Sequence, residues 1–210
     1  MTELVSHSLS WDASHRAFAD AADWFVSTAA RVEDRWSQPG LGEWDVRSLV
    51  GHTSRSLLTV EAYLARPAGA VEVESAVAYY EATRAIAAGP DVAARGREAG
   101  EALGADPAAA VAEIAARVVP LVAGCDGAEL VTTIVGGMRL RDYLPTRTFE
   151  LVVHTADLGT ALDLPPDIPA TSAIEALDLA ARLAVAGGRA GALLLAATGR
   201  GGLPAGFSVL

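Results

Sequence analysis

Apolar residues recur along most of this chain at the spacing that lays them on one side of an α-helix. Phe18, Ala21, Ala22, Phe25, Ala29 and Val32 form one such stripe, with Arg16, Asp20, Asp23, Arg31 and Asp34 largely off it, which predicts a first helix over residues 11–36. Pro39-Gly40-Leu41-Gly42 interrupts the pattern. Asp45 then reads as an N-cap, since a carboxylate there can accept from a free backbone N–H of the first turn. Val46, Leu49, Val50, Leu57, Val60, Ala62 and Leu64 carry a largely buried second helix to about residue 65, ended by Pro67 and Gly69. Val77, Tyr80, Thr83 and Ala87 make a further stripe before Gly89-Pro90, and residues 91–103 repeat the period weakly, with Gly96 and Gly100 against them. Asp106-Pro107 reads as an N-cap followed by proline at the first helical position. It opens a helix through Val111, Ile114, Ala115, Val118, Leu121 and Val122 that stops at Gly124, its last turn kinked or loosened by Pro120.

The β-branched stretch 129–135, followed by Gly136-Gly137, reads as either a short hairpin or an extended lead-in. The next helix is expected to start between Arg141 and Pro145, because proline is tolerated in a first turn but not deeper, and to run to about residue 162. Pro165-Pro166 and Pro169 stiffen a linker. Residues 173–186 are periodic again and are closed by Gly187-Gly188; residues 190–198 form a short apolar helix. The apolar ending Gly206-Phe-Ser-Val-Leu210 is expected to pack on the body. Long helices with short connections predict an all-α fold, an antiparallel four-helix bundle over residues 1–165 with a short C-terminal helical extension, 166–210, packed on it.

The helix around residues 147–157 carries the candidate chemistry. Glu150 and His154 lie one turn apart on the same face, and Arg147 and Asp157 extend that stripe in both directions. Phe149, Leu151, Val152 and Val153 surround it with apolar surface. A carboxylate and an imidazole in such surroundings need a partner, and a divalent metal ion is one. Taken alone, the pair reads first as a solvated hydrogen bond. His52, in the second turn of the second helix, has the small neighbours Ser48 and Ser56, so a helix or a ligand could come close; by itself it reads as a satisfied buried histidine. His7 and His15 carry no assignable role. Cys125 sits in a loop with no second thiol, which makes it structural or incidental. Gly199-Arg-Gly-Gly lacks the strand-then-helix context of a phosphate cradle, and no serine sits in a nucleophile elbow.

Composition narrows the classes. A chain of 210 residues, 51% hydrophobic, suits one domain with a small appendage. A net charge of −10 argues against nucleic-acid binding. No charge-free apolar run is long enough to span a bilayer, and no leader pattern opens the chain. A single cysteine excludes an internal disulfide and fits a reducing cytoplasm, the expected location. Lysine and asparagine are absent and arginine supplies every basic residue, which fits a high-GC bacterial genome. The apolar content permits a monomer or a homodimer.

Two motifs then coincide. Trp44-Asp-Val-Arg-Ser-Leu-Val-Gly-His52 resembles the early motif of the mycothiol-dependent maleylpyruvate isomerase family, and Arg141-Asp-Tyr-Leu-Pro-Thr-Arg-Thr-Phe-Glu-Leu-Val-Val-His-Thr-Ala-Asp157 resembles its later one. The ending from Thr198 to Leu210 is similar to the tails of shorter members. The family belongs to the DinB-like group of metal-binding four-helix bundles. The resemblance covers roughly residues 11–165 and the tail, and its ordered pair of motifs is more specific than either alone. It implies that His52, Glu150 and His154 carry a metal ion, most simply Zn²⁺, with Arg147 and Asp157 behind them orienting or balancing the ligands. Three protein ligands leave a coordination position open, which suits catalysis better than structure.

The resemblance also implies mycothiol as thiol cosubstrate. Metal coordination would release its proton near neutral pH, and the thiolate would add to a small electrophile. In the isomerase, reversible addition allows rotation about a conjugated double bond; in transferase relatives the thiol stays on the product. Members with isomerase activity carry a larger α/β domain after the bundle, for which the residues after Leu164 are too few, so the chain reads as a short member. Arg182, Arg189 and Arg200 in that piece could meet a carboxylate but read first as surface charges. The other readings are a non-enzymatic bundle binding a small ligand or protein, with metal structural or absent, and metal-assisted hydrolysis. Ligation needs neutral histidines and ionised Glu150, so metal binding is expected to weaken in acid.

Overall fold

The computed structural model describes residues 9–87 and 91–210. Four long helices make the bundle: α1 (Trp11–Ala29), α2 (Val46–Leu64), α5 (Pro107–Ala123) and α6 (Leu140–Ala161). Helices α1 and α2 each pack against both α5 and α6, which closes the four-membered arrangement. Their inward stripes supply the core, in which Phe18, Phe25, Leu49, Leu57, Tyr143, Leu151 and Leu158 are fully buried. The N-caps expected at Asp45 and Asp106 form, their carboxylates accepting from Ser48 N and Ala109 N. Helix α5 continues through Pro120, and Gly124 N still bonds Pro120 O at 3.1 Å. The architecture is the expected all-α, DinB-like bundle. Among the described residues no helix is long and apolar enough to cross a membrane.

Helix α4 (Asp91–Ala102) lies along α2, and α3 (Ala76–Ala87) lies against α6 and α7 (Ala170–Ala186). The glycines that weaken α4 as an isolated helix are what allow this packing. A Cβ on Gly51 of α2 would fall 2.2 Å from Gly100 N, and one on Gly96 would fall 2.5 Å from the Trp44 ring. The α2–α4 contact is backbone against backbone, and Arg47 ties it by donating from Nε to Gly100 O at 2.9 Å. Gly51→Ala must push α4 away, with an expected loss of about 1–3 kcal/mol in thermal or urea unfolding. A variant as stable as the parent would show that α4 shifts freely.

Three boundaries differ from expectation. The first helix stops at Ala29, not near residue 36. Arg31 N and Val32 N bond back to Thr28 O and Ala29 O, and Glu33 turns the chain at φ 56°, before a short 3₁₀ turn at Arg35–Ser37. Val32 still reaches the core, fully buried, through this turn, which is why the periodicity outran the helix. Helix α6 starts at Leu140, so Pro145 lies inside it, beyond the first turn. Proline there removes the bond to Arg141 O, but Arg141 is exposed and water can take up that carbonyl, while the fully buried Tyr143 and Leu144 hold the turn in place. Helix α7 starts at Ala170, earlier than residue 173, and Ser172 Oγ donates to Ala17 O at 2.8 Å. The Gly89-Pro90 break and His7 lie outside the described residues.

The alternative left open at 129–139 resolves as a hairpin. Strands β1 (Leu130–Thr133) and β2 (Gly136–Arg139) pair antiparallel from Leu130↔Arg139 to Thr133↔Gly136, and Gly136 takes φ 121°. The segment after α2 joins it through Ala68 N→Leu130 O and Thr132 N→Arg66 O. Helix α8 (Ala190–Ala197) rests on α7. Leu179 and Leu183 of α7 belong to the same core as the bundle, and Val209 of the closing segment packs on it.

Candidate metal centre

Helix α6 presents Glu150 and His154 one turn apart, and α2, packed against α6, presents His52 to them. The three side chains bring ligand atoms within 4.8 Å of one another. The α6 pair is not a solvated accident. His154 sits between two carboxylates, its Nε2 3.2 Å from Glu150 Oε2 and its Nδ1 3.1 Å from Asp157 Oδ2. The Tyr80 hydroxyl of α3 donates to the other Glu150 oxygen, Oε1, at 2.7 Å. The His52 ring lies 4.5 Å from the Trp44 ring and 4.8 Å from that of His154, edge-on, and its buried Nδ1 has no hydrogen-bond partner. A buried imidazole nitrogen without a partner is a group in want of a ligand.

The charges follow from this packing. Burial, then the neighbouring His154, lowers the His52 pKa to about 4, so the ring is neutral and keeps a lone pair at physiological pH. Burial alone would raise the Glu150 carboxyl. The His154 hydrogen bond, the Arg147 charge and the Tyr80 hydroxyl outweigh it and hold the carboxyl at about 2. Burial alone would lower His154, but its bonds to Asp157 and Glu150 lift it to about 9. The donor set is one ionised carboxylate, one neutral imidazole and one imidazole that becomes available when it loses a proton. That set fits a borderline divalent ion with a position left open. Asp157 fixes the His154 ring so that Nε2 faces the group. Asp157→Asn is therefore expected to weaken Zn²⁺ binding about 10–100-fold in a competitive-chelator titration, and unchanged affinity would deny Asp157 this role.

Arg147 stands elsewhere than its place behind the ligands suggested. Its guanidinium lies over the Tyr79 and Tyr143 rings, 5.6 and 5.1 Å from their centroids, and Nε donates to Thr146 Oγ1 at 3.0 Å. It influences Glu150 by charge and forms no hydrogen bond with it. Together with the triad it lines a cavity of about 640 Å³ bounded by α2, α3, α4 and α6. Leu183 of α7 and Val209 and Leu210 of the closing segment complete its wall.

A family model described as the mycothiol maleylpyruvate isomerase N-terminal domain matches residues 16–159. The chain belongs to this family. No curated protein and no solved structure matches it. The matched span contains the three triad residues and both resembling motifs.

Two partners escaped the sequence reading. Tyr80 counted there only as part of an apolar stripe, and its hydroxyl was the one signal of a polar role. Trp44 appeared only within a motif. Other candidates lie apart from the cavity. Cys125, whose thiol is pushed up to about 11 by burial and by Glu129, does not line it, and neither does His15, which lies beside Asp12 and Trp11. Arg182, Arg189 and Arg200 do not line it either; Arg189 Nη1 donates to Ser208 O at 2.6 Å and so pins the closing segment.

Proposed function

We propose that this protein is a metal-dependent, mycothiol-using isomerase or transferase acting on a small electrophile. The observation that carries this reading is the convergence of His52, Glu150 and His154 to within 4.8 Å on the wall of a cavity of about 640 Å³. A cavity of that size is in the range that takes a small-molecule ligand. Family membership supports mycothiol as the thiol and the isomerase or transferase class as the chemistry.

In this reading His52, Glu150 and His154 hold a divalent ion, most simply Zn²⁺. Such an ion, when bound, favours the thiolate form of a coordinated thiol near neutral pH. The protein's own groups prepare the site. Tyr80 occupies Glu150 Oε1 and leaves Oε2 for the ion. Asp157 holds Nδ1 of His154 and so presents Nε2. Trp44 covers one face of His52 and limits its hydration. Tyr80 is itself held as the neutral phenol, its pKa raised well above 10 by burial and then by the Glu150 charge. Residues 166–210 are proposed as an extension that finishes the cavity wall.

Calorimetry with mycothiol is the test. Zn²⁺-loaded protein should bind it, and the same protein stripped with a chelator should not. Loaded protein that gives no mycothiol binding would refute the thiol half of the proposal.

A further inference from the structure

The chain has a net charge of −10, yet four arginines line one cavity: Arg55 of α2, Arg84 of α3, Arg95 of α4 and Arg147 of α6. Among the described residues none of the four forms an ion pair with a carboxylate, whereas Arg117, Arg139 and Arg182 each do. The charges of Arg55 and Arg147 both reach His52, so these two stand nearest the triad. Arg147 is the best prepared. Its guanidinium is stacked on two tyrosine rings and its Nε is engaged by Thr146, while among the described residues its terminal nitrogens have no hydrogen-bond acceptor. A planar, pre-oriented fork of donors matches a carboxylate.

Much of the remaining wall is apolar. Leu41, Ile134 and Leu210 line the cavity although they are 38%, 56% and 48% exposed, and Leu183 and Val209 stand with them. These residues come from the loop before α2, the hairpin turn, α7 and the closing segment. Exposed apolar side chains that converge on one cavity are covered when an apolar ligand fills it.

We propose that the cavity selects an amphipathic acid, with its carboxylate on the Arg147 fork and an extended apolar body against Ile134, Leu183, Val209 and Leu210, and that it disfavours a small, wholly polar diacid. This deepens the functional reading by naming the class of the electrophile, and it rests on that reading for the ligand's being a substrate. The binding itself needs neither metal nor thiol, so the two fail separately.

Calorimetric titration of metal-free and Zn²⁺-loaded protein with butanoate, octanoate, octanamide and succinate tests it. Octanoate should bind both forms. Each added CH₂ that enters the cavity strengthens binding by up to about fourfold, so the four that separate octanoate from butanoate should strengthen it by more than about 10-fold and up to about 250-fold. Octanamide should bind about 10-fold more weakly than octanoate. Arg147→Gln should bring octanoate down to the octanamide level, and Arg147→Lys, which keeps the charge and loses the fork, should recover only part. Should the Arg147 variants fail to fold, Ile134→Ala on the exposed turn decides: it should weaken octanoate about threefold or more and leave butanoate unchanged. Succinate binding more tightly than octanoate, equal affinity for octanoate and octanamide, no gain with chain length, or no octanoate binding would each overturn the proposal. Octanoate binding without mycothiol binding would keep it and refute the thiol reading; the reverse would do the opposite.

Discussion

Glu150→Ala is expected to abolish stoichiometric metal binding, as is His154→Ala. Elemental mass spectrometry after reloading with Zn²⁺ should find about one ion per chain in the parent and almost none in either variant. The loss should exceed the ~10–100-fold expected of an orienting partner such as Asp157, because each variant removes one of the three proposed ligands. Removing Glu150 also takes from the Tyr80 hydroxyl its shorter hydrogen bond, leaving it Thr146 O at 3.3 Å, and removes the carboxylate that interacts with Arg147 and His154. Full metal occupancy in Glu150→Ala would place the ion elsewhere.

The same geometry sets how metal affinity depends on pH. From sequence, weakening in acid below the ordinary histidine range was the expectation. With His154 held at about 9 by its two carboxylates, the window moves up. Below that value the ring carries a proton that the ion must displace, so affinity weakens as pH falls through about 9 and keeps weakening below it. His52, at about 4, contributes no further loss until the pH is strongly acidic. Near pH 7 binding should release about one proton per ion, read from the dependence of the calorimetric heat on buffer ionisation enthalpy. Binding without proton release would contradict ligation through His154.

Glu175→Gln is expected to stabilise the protein above neutral pH. Glu175 of α7 is only 3% exposed; its Oε1 accepts from Ser14 Oγ of α1, and among the described residues its buried Oε2 has no partner within hydrogen-bond geometry. Burial raises its pKa from 4.5 to about 7, against the opposing influence of the Ser14 and Thr148 hydroxyls and with a further addition from the Asp178 charge. Below 4.5 both folded and unfolded chains hold the proton, and the buried neutral acid is accommodated. Between 4.5 and about 7 the unfolded chain releases the proton and the folded one keeps it, so stability falls as pH rises. Across that window the loss amounts to about 3 kcal/mol. Glutamine stays neutral throughout and escapes it. Urea unfolding should show parent and variant close near pH 5, with the variant ahead by about 2–3 kcal/mol near pH 8. Parallel curves at both pH values would mean that the carboxyl is hydrated in the folded state. Helix α7 also carries Leu183 into the cavity wall, so its hold on α1 bears on the site as well as on stability.

Much of the architecture was legible because it is written in local, repeating features. The stripes of α1, α2, α5 and α6 follow from spacing, and the caps at Asp45 and Asp106 from single residues with one mechanism each. The i, i+4 placement of Glu150 and His154 follows from helical geometry alone. The pairing of His52 with them could be named from motif resemblance, but their convergence to within 4.8 Å is set by how α2 packs against α6. Tertiary packing also overrode local preference. Pro145 stays inside α6 because Tyr143 and Leu144 are buried around it, and Gly96 and Gly100, poor helix residues, are needed where α4 meets α2.

The chain's own residues thus fixed which side chains could do chemistry: the carboxylate and imidazole of one helix face, the lone histidine of another, and a basic inventory made wholly of arginine. Only the folded arrangement decided what each of them touches. It placed Tyr80 on Glu150, Asp157 on His154 and Arg147 on two tyrosine rings. It also gathered four arginines from four helices at one cavity. Periodicity specifies which face of a helix is buried; which faces then meet depends on contacts between residues far apart in the chain, and no local pattern carries that information.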